Sequence, residues 1–137
     1  MPTFKSREQA ISVFSQLFEI LLDDDGFRAI VRDEALSVRF VHTTPDFELY
    51  VDAGGVRIDG PPAPTTLAIR MSCDTADALW SGRLLMPIAL ATGRIRIKGS
   101  VARVIEFVPL LRPAFDRYPA LAAAAGVTTA AGVTTAA

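Results

Sequence analysis

Apolar residues fall at helical spacing near the start of the chain and at alternate positions further on. Ala10, Ile11, Phe14, Leu17, Phe18 and Leu21 share one helical stripe, widened by Val13 and Ile20. Ser6 with Gln9 three residues later is a capping-box pattern. Together they predict a helix over residues 7–22. Asp23-Asp24-Asp25-Gly26 breaks it, and Phe27, Ile30 and Val31 predict a short second helix. Four alternating segments follow. Leu36, Val38 and Phe40 share one face of the first. Phe47, Leu49 and Val51 share one face of the second, which runs to Asp52. Residues 56–59 make the third, and Leu67, Ile69 and Met71 share one face of the fourth. Thr43-Thr44-Pro45-Asp46 is turn chemistry, Ala53-Gly54-Gly55 a hairpin signal, and the proline-rich stretch 60–64 a loop. One apolar and one polar face per strand predicts an antiparallel sheet, wet on one side and covered by helices on the other.

The second half returns to helical patterns. Asp74 is the expected N-cap of a helix carrying Ala78, Leu79 and Trp80. The apolar run 84–91 is far shorter than the roughly 20 residues that cross a bilayer. Pro87 suits its first turn, and Gly93 suits the left-handed residue that ends it. Arg94-Ile95-Arg96-Ile97-Lys98 alternates as a fifth strand, with its isoleucines on one side and three cations on the other. Ser100 then caps a helix with Val101, Val104, Ile105 and Val108 on one stripe, and Pro109 ends or kinks it. A final helical turn or two is expected over 113–118. From Ala122 the chain holds only Ala, Gly, Thr and Val, with Ala-Ala-Gly-Val-Thr-Thr in tandem, and reads as a low-complexity tail. The expected organisation is one α+β domain over 1–121 and a tail over 122–137. Its sheet is five-stranded and largely antiparallel, with helices on one face.

Composition narrows the function. The 137 residues are 50% hydrophobic and the mean hydropathy is +0.33. Two readings stay open: an ordinary core plus the alanine-rich tail, or a core with extra apolar surface lining a cavity. A net charge of −1 gives no strong field for nucleic acid or an anionic membrane. Cys73 is the one cysteine, so no internal disulfide forms and a reducing compartment is the simplest reading. Ser12, Ser15, Gln16 and Glu19 interrupt the first apolar stretch, which therefore lacks a signal core. The chain ends without a Ser-Lys-Leu signal, and cytoplasmic is the expected compartment.

Catalytic constellations are thin. One histidine, His42, and one cysteine cannot build a conventional zinc site. The acidic run 23–26 does not fit a calcium loop, because Leu21 and Arg32 occupy places that need acids. No serine and carboxylate are placed beside His42, which reads as a strand-end residue, exposed or hydrogen-bonded. Cys73 reads as a small buried residue. The other reading puts it at a helix N-terminus with a lowered pKa. Arg94, Arg96 and Lys98 read first as charges that protect an edge strand and second as a contact for phosphate headgroups or an anionic lipid.

Leu79-Trp80-Ser81-Gly82-Arg83-Leu84 and Gly93-Arg94-Ile95-Arg96-Ile97-Lys98-Gly99 carry a family resemblance. Residues 36–111 resemble the sterol carrier protein 2 family of lipid-binding domains. In that family a small-residue apolar helix, a glycine, a short basic strand and a further helix follow one another. The resemblance implies an apolar tunnel between sheet and helices that takes fatty acids, fatty acyl-CoA, sterols or similar lipophiles. It implies non-catalytic carrying, with no cofactor and no metal. The implied lining is Leu79, Trp80, Leu84, Leu85, Ile88, Leu90, Val104, Phe107, Val108 and Leu111, with Trp80 either lining or core. The alternative is an accessory protein presenting a lipophilic intermediate to a partner enzyme of lipid or quinone metabolism. A transient membrane contact, an enzyme partner and a homodimer are the partners this leaves open; nucleic acid is not among them.

Overall fold

Ser6 accepts a hydrogen bond from the Gln9 amide at 3.1 Å, and helix α1 runs Arg7–Asp23 from that cap. The other half of the box differs from expectation. Gln9 Oε1 accepts from the Lys5 amide at 2.7 Å, not from Ser6, and Gln9 Nε2 donates to the Ala125 carbonyl at 2.9 Å. One side chain thus ties the start of the first helix to the end of the last. Asp24 closes α1 through its own amide and caps α2 (Asp25–Asp33) by accepting from Phe27 at 3.0 Å. These features come from a computed structural model that describes residues 3–60 and 65–127. Most of the proline-rich loop and the last ten residues of the expected tail lie outside that range.

The sheet contains β1 (Val38–Thr43), β2 (Phe47–Asp52), β3 (Gly55–Ile58), β4 (Leu67–Ser72) and β5 (Ile95–Lys98), in the order β3-β2-β1-β4-β5. Three of its ladders are antiparallel, as expected. The central one, β1 with β4, is parallel. Alternation places side chains on faces but does not choose a partner, so the sequence left this ladder undetermined. A reciprocal clamp opens it. Ser37 N–H donates to Thr66 Oγ1 at 2.9 Å, Thr66 N–H to Ser37 Oγ at 3.0 Å, and Thr66 Oγ1 to the Ser37 carbonyl at 2.8 Å. Leu49, Val51, Leu67, Ile69, Met71 and Ile95 are buried on the helix-covered face. Tyr50, on the other face, is buried too: its hydroxyl donates to Glu48, and the Arg57 guanidinium lies 4.9 Å above its ring.

Helices α3 (Cys73–Trp80), α4 (Met86–Ala91) and α5 (Val101–Phe107), a 3₁₀ turn (Val108–Leu111) and α6 (Arg112–Ala124) complete the elements of the described residues. Ser72, not Asp74, caps α3, accepting from Thr75 at 3.0 Å; Asp74 accepts the Thr3 amide instead. Ser100 caps α5 as expected, and α5 stops two residues before Pro109. Gly99 has φ +124°, and a Cβ there would lie 2.9 Å from the Thr66 carbonyl, so only glycine fits where β5 passes the start of β4. Helix α6 crosses the expected domain end at residue 121. Helix α6 runs through Pro119 to Ala124, and Tyr118, Ala122 and Val127 are buried. An interior proline costs about 3 kcal/mol; packing of α6 along α1 offsets it. Ala122 and Val127, expected in the tail, thus pack against the rest of the fold.

Candidate functional site

A narrow apolar slot lies between the sheet and the helices. Phe18 and Leu21 of α1 and Phe27 and Val31 of α2 form one wall. Val38, Phe40, Val51, Leu67, Ile69 and Met71 of the sheet form the floor. Leu79, Trp80, Met86, Val104, Phe107 and Leu111 close the far side. Each wall is the apolar stripe of its own element, so the lining follows from the periodicities that build the fold. Trp80 meets Phe18 edge-on at 5.8 Å, and Phe18 stacks on Phe40 at 4.4 Å across the slot. The free volume is about 60 Å³. An apolar cavity of about 150 Å³ takes a single benzene, so in this conformation the slot is collapsed on its own side chains.

A second apolar hollow, of about 170 Å³, adjoins it on the surface. Leu84, Leu85, Pro87, Val108 and Phe115 form its rim, and it shares Leu79, Met86 and Leu111 with the slot. The predicted lining residues thus divide. Leu79, Trp80, Val104, Phe107 and Leu111 reach the slot, whereas Leu84, Leu85 and Val108 reach only the surface hollow. Ile88 and Leu90 line neither, and Ile88 is 52% exposed. The reason is local: α4 has six residues and fully buries only Met86 and Ala89. Sequence reasoning missed Met86 and the contributions of α1, α2 and the sheet. Their signal was present in the stripes already used to predict those elements.

The ionisable groups under the helices are held out of reach. His42 is buried, neither exposed nor hydrogen-bonded through Nδ1 as a strand-end residue would be. It lies between Phe14 at 4.8 Å and Phe47 at 4.5 Å, and burial pushes its pKa down to about 3. Cys73 starts α3, yet burial pushes its thiol up to about 12, which outweighs any pull from the helix terminus. Asp77 is buried and accepts from Arg83 at 2.6 Å and Tyr118 at 2.7 Å. Burial raises its pKa against both partners. This triangle ties α3 to α6 and opens onto neither hollow. Among the described residues no group of three His, Cys, Asp or Glu side chains is placed to hold a metal ion, and no helix is long and apolar enough to cross a membrane.

No family model and no curated protein matches the chain. Solved structures do. The apo form of sterol carrier protein 2 from Yarrowia lipolytica is 16% identical, with a TM-score of 0.61 over 84% of this chain and 99% of that one. The sterol carrier protein domain 2 of Helicoverpa armigera is 18% identical, with a TM-score of 0.64 over 85% and 97%. Sterol carrier protein 2 from Aedes aegypti, solved in complex with palmitate, is 15% identical, with a TM-score of 0.56 over 77% and 96%. Identities this low speak to fold alone. The chain has the α+β fold of sterol carrier protein 2.

Proposed function

We propose that this chain binds the apolar part of a lipophile — a fatty acyl chain, sterol or similar molecule — between its sheet and its helices, and carries it without chemical change. The observation that carries the reading is the slot itself, whose lining is apolar on every side. The palmitate complex of the mosquito protein shows that a similar fold accommodates an acyl chain in that protein. Since the slot of this chain is collapsed, the ligand enters as the helices move outward. The shortest covers are the six-residue α4, the seven-residue α5 and the 3₁₀ turn, which buries no residue at all. The adjoining hollow bounded by Leu84, Leu85 and Val108 is the proposed entrance, because it shares three walls with the slot.

Burying methylenes at about 0.8 kcal/mol each gives a sixteen-carbon chain a gross gain of roughly 12 kcal/mol. Association and helix opening consume a large share. Micromolar affinity, about −8 kcal/mol, is within reach. The test is a fluorescent fatty-acid titration over chains of eight to eighteen carbons. Affinity is expected to rise with chain length. Val104→Asp, shown folded by circular dichroism, should abolish binding, because an unpaired charge in an apolar lining is costly. Ile88→Asp should not, since Ile88 faces away from the slot. A flat response over the series, or no saturation, would remove the lipid reading.

A further inference from the structure

The outer face of the sheet is divided by charge. Towards β2 and β3 its cations are matched: Arg39 holds Glu48 through two hydrogen bonds of 2.7 and 2.8 Å, and Arg57 covers Tyr50. Towards β4 and β5 stand Arg70, Arg94, Arg96 and Lys98, all exposed, and none forms a salt bridge among the described residues. Arg70 and Arg96 are direct cross-strand partners. Like charges so placed destabilise a sheet. Protection of the edge accounts for charges on β5. It does not account for Arg70, which stands on an interior strand opposite another arginine.

From this unmatched cluster we infer that the outer face of β4 and β5 is a binding site for a phosphate group, held between Arg70, Arg94 and Arg96. These three guanidiniums, with Thr43 and Ser72, line an open polar hollow of about 350 Å³. Arginine suits this role, since its planar fork donates in pairs to phosphate oxygens. Bound phosphate converts the Arg70–Arg96 repulsion into a shared attraction. A neighbouring apolar trough of about 220 Å³ shares Arg70 and Arg96 and runs over Val41 and Ala68. A phosphate carried on an organic body, such as a lipid headgroup or a soluble phosphate ester, would lie across both. The site is on the opposite side of the sheet from the slot and does not depend on the lipid reading.

The test uses the full chain at constant ionic strength. Inorganic phosphate is titrated by calorimetry, and phosphatidylcholine vesicles with and without phosphatidic acid are used in co-sedimentation. Saturable binding is expected, weakened about tenfold by Arg70→Gln and by Arg96→Gln. Arg28→Gln, an equal charge change on α2, should leave it unaltered. Both sheet variants relieve a like-charge pair, so their thermal midpoints should not fall, and loss of binding is then not loss of fold. Binding of phosphate without vesicle retention assigns the site to soluble phosphates, and retention on phosphatidic acid without saturation by phosphate assigns it to lipid headgroups. Absence of both, or equal weakening by Arg28→Gln, would overturn the proposal. Val104→Asp should leave this binding intact, so failure here and failure of the lipid reading are separable.

Discussion

His42 is neutral in the folded protein because its surroundings are aromatic rings and not water. Its pKa falls from 6.5 to about 3 by burial. A histidine that protonates only when unfolded favours the unfolded state as acid is added. Stability is therefore full above pH 6.5 and is lost as pH falls from there towards 3. Between pH 7 and pH 5 the loss is about 2 kcal/mol, or roughly 8 °C in the thermal midpoint. Asp77 acts in the opposite sense. Its raised pKa means that ionisation, complete sooner in the unfolded chain, disfavours the fold as pH rises through the carboxylate range. The two are separated by comparing the parent with His42→Phe, which keeps a ring in the stack. The parent should lose midpoint between pH 7 and pH 5 and the variant should not. Parallel changes in both would show that His42 is not the group responsible.

At the scale of elements, the apolar faces were legible and their partners were not. The stripe of α1, the capping serines at 6 and 100, and the buried faces of β2 and β4 all follow from period and cap chemistry. Period two carries no strand direction, which is why the parallel ladder was hidden. Short helices were the other difficulty. In α5 the stripe of Val101, Val104, Ile105 and Val108 is apolar along its length, yet Val101 is 43% and Ile105 47% exposed; the buried pair is Val104 with Phe107, both in the implied lining. A helix of two turns buries one narrow edge, and the sequence offers several apolar edges to choose from. The same ambiguity misplaced Ile88 and Leu90 in the site. The slot's far wall was legible from the helices around Gly93; its other walls are contributed by residues far away in sequence, which only the topology brings together.

At the scale of the whole molecule, α6 ties the two ends of the described chain together. Gln9 reaches the Ala125 carbonyl, Tyr118 reaches Asp77, and Ala122 and Val127 are buried. Composition alone makes residues 122–137 look dispensable, whereas Ala122 and Val127 are buried in the fold. Chains ending at residue 121 and at residue 127 should differ in thermal midpoint by several degrees, the shorter being lower. The difference measures what residues 122–127 contribute, at roughly 4 °C per kcal/mol for a domain of this size. Equal midpoints would mean that the helix end adds nothing.

The clamp between Ser37 and Thr66 joins residues 29 apart in sequence, and this bears on the order of assembly. Strands β1, β2 and β3 are linked by short turns and can zip together locally. Strand β4 must come back past β2 to the far side of β1, a closure that gives nothing back until the parallel ladder forms. The clamp is therefore expected to form late in folding, as a latch on the finished sheet. Thr66→Val, which removes the hydroxyl that both accepts from and donates to Ser37, should cost about 1 kcal/mol. That cost should appear as unfolding about fivefold faster, with the folding rate unchanged. Stopped-flow rates across denaturant would show it, and a slowed folding arm would place the latch at the start of assembly. With unfolding alone quickened, the central ladder would govern how long the folded protein lasts more than how quickly it arrives.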